Sequence, residues 1–145
     1  MQSDRTRSRI VSDAHVILLP ILQDFSQIRY YPRAVRAFEH IVTNIDKPVR
    51  VADLADVAGM EPTAFCRFLR CKIGITPKEL VLRGKVAFAA ALLRRTDHSI
   101  TEVADRVGLS EDSLRRAVRR ITGEPFAVFK AAQFRAAQHG KAGSA

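Results

Sequence analysis

"VADLADVAGMEPTAFCRFLRCKIG", Val51–Gly74, and "ITEVADRVGLSEDSLRRAVRRITG", Ile100–Gly123, are one pattern written twice, the second copy 49 residues after the first. Leu54-Ala55-Asp56 aligns with Val103-Ala104-Asp105, Gly59 with Gly108, and Met60 with Leu109. Further on, Phe65 aligns with Leu114, Arg67 with Arg116, Leu69 with Val118, and Gly74 with Gly123. Chemistry is kept at the apolar and glycine positions, and this fixes the register of the repeat. Two copies do not make a solenoid; they make a pair joined by a connecting segment.

Each copy reads as helix, tight turn, helix. In the first, "VADLADVA" is a short helix stopped by Gly59, and "PTAFCRFLRCKI" follows with Pro62 in a tolerated first-turn position and Gly74 as its stop. In the second, Ser99 and Glu102 have the spacing of a capping box. Gly108 then breaks the helix, Ser110 caps the next one, and Gly123 ends it. Two helices that cross closely need a small residue at the crossing and a glycine at the turn. Ala55 and Ala104 fill the first role, Gly59 and Gly108 the second.

Between the copies, Thr76, Pro77 and Glu79 form another capping box with proline at the first helical position, which starts a helix running roughly from Pro77 to Arg95. At 1.5 Å per residue it is about 28 Å long. Gly84 in its interior is expected to weaken it by about 1 kcal/mol relative to alanine. Upstream, Val35, Phe38, Ile41, Val42 and Ile45 recur at helical spacing behind Pro32, so another amphipathic helix precedes the repeat and ends at "DKPV". A last helix begins near Phe126 and continues through the alanine-rich "AAQFRAAQH" into a frayed "GKAGSA" tail. The expected fold is all-α: tandem helix-turn-helix subdomains joined by a long linker helix. Three segments follow. Residues 1–31 form an N-terminal extension, partly disordered with a short apolar helix; residues 32–131 form the double helix-turn-helix domain; residues 132–145 are helical and then disordered.

The formal net charge is +9 and the pI about 10.4. That balance favours a polyanionic partner, nucleic acid ahead of an anionic membrane. The longest apolar run, Val16–Leu22, is far too short to span a bilayer and is interrupted by Pro20. The arginines before it imitate a secretory leader, but Asp13 and His15 flank the run and no small-residue cleavage site follows, so a cytoplasmic location is expected. Cys66 and Cys71 are five apart, a poor spacing for one helix face, and the four histidines are scattered. Neither a metal site nor any cofactor is expected from them. Paired carboxylates, a Ser/His/Asp or Cys/His set and a phosphate-binding glycine loop are all lacking at usable spacing, so the sequence does not read as an enzyme.

The chemistry lies on the outer faces of the two second helices. With Phe65, Phe68, Leu69 and Ile73 turned inward, Thr63, Cys66, Arg67 and Arg70 share the opposite face. Their counterparts are Asp112, Arg115, Arg116 and Arg119, set against an inner stripe of Leu114, Ala117, Val118 and Ile121. Arg120, the counterpart of Cys71, lies beside that face and suits phosphate or solvent. A major groove admits one α-helix, and arginine can bond guanine O6 and N7 in a fork or hold a phosphate. Successive major-groove segments on one face of a duplex are about 34 Å apart, a span to which a linker helix of about 28 Å is suited. Asp112 has three readings: acceptor from cytosine N4, a charge repelling phosphate, or an acid placed favourably at a helix start.

Residues from about Pro32 to Lys130 resemble the DNA-binding domain of the AraC/XylS family of bacterial transcription regulators. The resemblance rests on "LADVAGMEPTAFCRFLRCKIGITPKELV", the spacing of the linker "LRGKVAFAAALL", and "ITEVADRVGLSEDS". It implies seven helices, with the third and sixth in adjacent major grooves. It also implies that Thr63, Cys66 and Arg67 read DNA from the third helix, and Asp112, Arg115 and Arg116 from the sixth. Leu109 and Leu114 depart from the aromatic residues usual in the second motif, and Gly123 arrives one residue early. Lys85 stands where arginine is usual, and Gly84 where an apolar residue is. The first motif is thus orthodox and the second divergent. Family members often carry a large sensor domain; the thirty or so residues ahead of Pro32 are too few to enclose a ligand pocket, so the chain is expected to resemble the short, sensor-less members or else to be a fragment.

The expected function is a sequence-specific DNA-binding transcription regulator whose partner is double-stranded DNA. The alternative is a non-enzymatic adaptor or nonspecific DNA-binding module that contacts RNA polymerase or another regulator. Residues 14–31 are a route to a homodimer, or else they pack on their own domain.

Overall fold

Backbone hydrogen bonding follows the two copies of the repeat through each turn and departs at their ends, where Gly74 N–H bonds Leu69 O but Gly123 N–H bonds Arg119 O. The computed structural model describes residues 31–95 and 97–142. Among the described residues there are seven helices and no strand: α1 Pro32–Thr43, α2 Val51–Ala58, α3 Pro62–Lys72, α4 Pro77–Arg95, α5 Ile100–Val107, α6 Glu111–Thr122 and α7 Phe126–Ala142. The expected N-terminal extension, apart from Tyr31, and residues 143–145 of the expected tail lie outside the described residues. Helix α7 continues through Gly140, Lys141 and Ala142, three residues past the point where fraying was expected.

The turns close α2–α3 and α5–α6 in the same way. Gly59 has φ 71° and ψ 33°, and Gly108 φ 71° and ψ 32°, the left-handed region in which any side chain is strained. After each glycine the chain bonds back into the first helix: Met60 N–H donates to Ala55 O at 2.9 Å, and Leu109 N–H to Ala104 O at 2.9 Å. Ala55 and Ala104 are buried at the crossings, as their size requires.

Caps set the helix starts. Ser99 Oγ accepts from Glu102 N–H at 3.2 Å, while Ser99 N–H donates to the Glu102 carboxylate at 2.9 Å, a complete capping box. Ser110 Oγ accepts from Ser113 N–H at 3.2 Å. The box expected at Thr76 is only half made. Thr76 Oγ accepts from Glu79 N–H at 3.2 Å, but the Glu79 carboxylate turns along its helix to Arg83 at 3.3 Å. An i,i+4 ion pair has outcompeted the reciprocal cap.

One core runs through both copies. Phe38, Ile41 and Val42 of α1, Leu54 of α2, and Phe65 and Leu69 of α3 are buried with Leu80 and Val86 of α4. Val103, Val107, Leu114, Val118 and Phe129 continue it through α5, α6 and α7. Ile45 is buried as its spacing predicts, although it lies in the turn beyond the end of α1. Helix α4 packs against α1 on one side and α5, α6 and α7 on the others. It is therefore buried around most of its circumference, from Val86 through Leu93 without a break.

That packing overturns the expectation for Gly84. A Cβ built there would stand 2.5 Å from Cγ2 of Ile41 and 3.7 Å from Cε2 of Phe38. The glycine is the notch that lets α1 and α4 approach, so its cost in helix propensity is offset by close packing.

Candidate nucleic-acid interface

The two second helices bury the stripe the repeat predicts and leave the other face to solvent. On α3, Phe65 and Leu69 are buried and Phe68 partly so, with Tyr31 edge-on to Phe68 at 5.6 Å between centroids. Thr63, Arg67 and Arg70 are exposed and Cys66 is half-buried on the same face. On α6, Leu114, Ala117 and Val118 are buried, while Asp112, Arg115, Arg116, Arg119 and Arg120 are all exposed.

These arginines are not committed to acids. Among the described residues, no carboxylate lies within ion-pair distance of Arg67, Arg70, Arg115, Arg116, Arg119 or Arg120. Arg116 Nε donates to Asp112 O at 3.4 Å, a long bond to its own helix that leaves the rest of the guanidinium uncommitted. Arg119 and Arg120 lie in the last turn of α6, where the helix dipole also favours a cation. Asp112 shares the first turn with Glu111, the end that favours an acid. Glu111 is further held by a hydrogen bond from the Thr101 hydroxyl, which ties the start of α6 to α5.

A shallow apolar-floored depression of about 440 Å³ lies between Arg115, Arg116 and Arg119 on one side and Pro125, Phe126 and Ala127 on the other. The start of α7 thus walls the basic face of α6. The aligned pattern did not point to it, because it stops at Gly123: α7 starts 49 residues after α4, but Phe126, Ala127 and Val128 keep nothing of the Pro77-Lys78-Glu79 helix start. Lys85 is a second residue whose place the sequence did not reveal. Its ammonium donates to Ile45 O at 3.1 Å and, more closely, to Val107 O. Burial holds its pKa below the ordinary lysine value, partly opposed by the Asp46 carboxylate.

No group of three His, Cys, Asp or Glu among the described residues could hold a metal ion. No helix among them is long and apolar enough to cross a membrane.

A family model described as a helix-turn-helix domain matches residues 54–132, and a crystal structure of a transcriptional regulator from Chromobacterium violaceum, described by its AraC-type DNA-binding domain, superimposes with a TM-score of 0.64. The chain belongs to the AraC-type helix-turn-helix family. The Chromobacterium structure is 20% identical, and the match covers 73% of this chain and 96% of that one; at this identity it speaks to the fold alone. The HTH-type transcriptional regulator YfiF of Bacillus subtilis is 23% identical over 128 residues, 81% of this chain and 41% of its own length. The transcriptional-regulator sequence LumQ of Photobacterium leiognathi is 31% identical over 85 residues, 58% of this chain and 34% of its own. An AraC-like transcription regulator sequence of Streptomyces lividans is 33% identical over 76 residues, 52% of this chain and 25% of its own. This AraC-type chain therefore aligns with only a quarter to about two-fifths of the length of these curated relatives.

Proposed function

We propose that this AraC-type chain regulates transcription by binding double-stranded DNA sequence-specifically, with α3 and α6 in adjacent major-groove segments. The observation that carries the reading is the matched pair of outer faces: Arg67 with Arg116, and Arg70 with Arg119, at one register on two helices, without acidic partners among the described residues. Thr63, Cys66, Arg67, Asp112, Arg115 and Arg116 take the base edges, and Arg70, Arg119 and Arg120 the backbone. The DNA-binding unit is residues 32–131, the rest of α7 continuing past it. The location is cytoplasmic, with the DNA.

Selection from a random duplex pool tests this directly. A bipartite motif with half-sites about one helical turn apart supports the reading. Binding of the selected duplex should also weaken with salt, with a log–log slope of about −0.9 per phosphate neutralised. One specific observation favours the second reading, a nonspecific DNA-binding or adaptor module that contacts RNA polymerase: α6 carries arginine at 115 and 120 where α3 has Cys66 and Cys71. Steep salt dependence with no enriched motif would decide for that module.

A further inference from the structure

The 49-residue repeat extends further back than its sequence shows. Arg36 of α1 stands 49 residues before Lys85 of α4, and Ala58 stands 49 before Val107. In the first unit Arg36 Nη2 reaches Ala58 O, the last carbonyl of α2, at a long 3.5 Å. In the second unit Lys85 Nζ bonds Val107 O, the last carbonyl of α5. A cation at the same repeat position, guanidinium in one copy and ammonium in the other, therefore serves the equivalent carbonyl, where the negative end of a short helix meets its turn. The repeating unit is three helices, α1–α3 and α4–α6.

Lys85 does one thing that Arg36 does not. Its ammonium also bonds Ile45 O, in the turn that ends α1. It thus holds a carbonyl from the first unit and one from the second at a single nitrogen. The surroundings agree. A Cβ at Gly108 would stand 3.6 Å from Lys85 Nζ, 3.7 Å from Asp46 O and 3.8 Å from Ile45 O, whereas one at Gly59 would meet nothing within 4 Å. The second turn is pressed against the first unit, whereas at the first turn the Cβ direction of Gly59 is open. Among the described residues, the extensive helix packing between the two units is that of α4 on α1. Alongside Lys85 the seam opens into an apolar cleft of about 300 Å³ between Val51, Leu54, Val81 and Leu109, so side-chain packing does not close it there.

We propose that Lys85 is a positioning residue: by clamping Ile45 O and Val107 O together it fixes the angle between the two helix-turn-helix units, and with it the half-site spacing the protein accepts. The spacing consequence rests on the DNA reading above; the clamp does not.

Two measurements separate them. In the full chain, spin labels are placed on native Cys71 of α3 and on Asp105→Cys of α5, with Cys66→Ser removing the third thiol. The distance distribution between the labels is recorded without DNA. Lys85 and Lys85→Arg should give one narrow distribution, and Lys85→Met a broadened or displaced one, while circular dichroism shows unchanged helix content. A Lys85→Met distribution that overlays the parent overturns the clamp. Should Lys85→Met fail to fold, Lys85→Gln, with an amide donor on a shorter stem, takes its place in the comparison. On the selected duplex, inserting one base pair between half-sites should weaken the unlabelled parent sharply and Lys85→Met several-fold less. Equal discrimination by both proteins overturns the link from clamp to spacing. Failure to select any bipartite duplex removes the DNA reading, while the label distances still decide the clamp.

Discussion

Replacing Gly84 by alanine should destabilise this protein, against the usual rule for a helix interior. Alanine is better than glycine in an exposed helix by about 1 kcal/mol. At Gly84 the new methyl would arrive 2.5 Å from Cγ2 of Ile41. Carbon atoms in ordinary contact sit about 3.5–4.0 Å apart, so about 1 Å must be found. Ile41 cannot easily supply it. It is buried in α1, its branch is at Cβ, and a helix leaves such a side chain essentially one χ1 rotamer. The helices must separate, or Ile41 must leave its rotamer; overpacking of this kind costs about 1–3 kcal/mol. After the propensity gain, the net loss is about 0–2 kcal/mol, centred near 1 kcal/mol. For a domain of this size that lowers Tm by several degrees. Thermal and urea melts followed at the helix band measure it. Ile41→Leu, which has no carbon at the Cγ2 position, supplies the control. In that background Gly84→Ala should be neutral or stabilising, so the double-mutant cycle should show favourable coupling. If Gly84→Ala stabilises the protein with Ile41 in place, the close approach of α1 and α4 does not explain the glycine and the reasoning fails.

Other perturbations bear on the interface and on charge. Arg67→Ala and Arg116→Ala should each relax specificity at one base position at a cost of roughly 1–3 kcal/mol; a loss uniform across sequences, measured by competition binding, assigns them to phosphate instead. Glu102 is held below the ordinary glutamate value first by the Ser99 backbone N–H and then by His98. Its folded pKa is depressed, so its contribution is present above the unfolded value and lost as pH falls through the folded one. The stability gap between the parent and Glu102→Gln should therefore close on acidification; a gap constant across urea melts in that range would contradict the cap geometry. Lys85 is shifted the same way for a different reason, since burial lowers it, and a lysine so shifted loses its proton earlier in the folded state. The folded protein then binds fewer protons than the unfolded chain between the lowered value and the ordinary lysine value. Stability relative to Lys85→Met should rise as pH climbs through that window, and parallel pH profiles for the two proteins would argue against a buried ammonium.

The regular parts of the fold could be read because each had a local cause. Gly59 and Gly108 mark turns that need a left-handed residue, Ser99 and Glu102 cap one helix from three residues apart, and Leu114 and Val118 recur at helical spacing. These signals lie within one helix or one turn, so the sequence carries them undiluted. The outer faces of α3 and α6 followed by subtraction, once the buried stripes were known. Gly84 is not legible from its own helix, because propensity is a property of one helix, whereas its reason for being glycine lies on another, 43 residues upstream at Ile41. The wall that Pro125 and Phe126 raise beside Arg115 lies just past Gly123, where the aligned pattern stops.

The correspondence of α4 to α1 is hidden by the burial of α4. Helix α1 packs on α2 and α4 and keeps an exposed side, so its apolar residues form a stripe at helical spacing. Helix α4, its counterpart, is enclosed by α1, α5, α6 and α7, and such a helix has no polar face to set a phase. Close neighbours on several sides also demand small side chains. Phe38, Ile41 and Val42 are accordingly answered 49 residues later by Ala87, Ala90 and Ala91, and Val35 by Gly84. Side-chain size is what the enclosed position had to give up, while apolar character is kept as it is elsewhere in the repeat. What survived is the one pair whose task did not change, Arg36 and Lys85, each a cation at the final carbonyl of the helix that follows it. The buried pairs keep only their apolar character, whereas this pair keeps its partners as well, since the acceptors Ala58 and Val107 stand at the same offset.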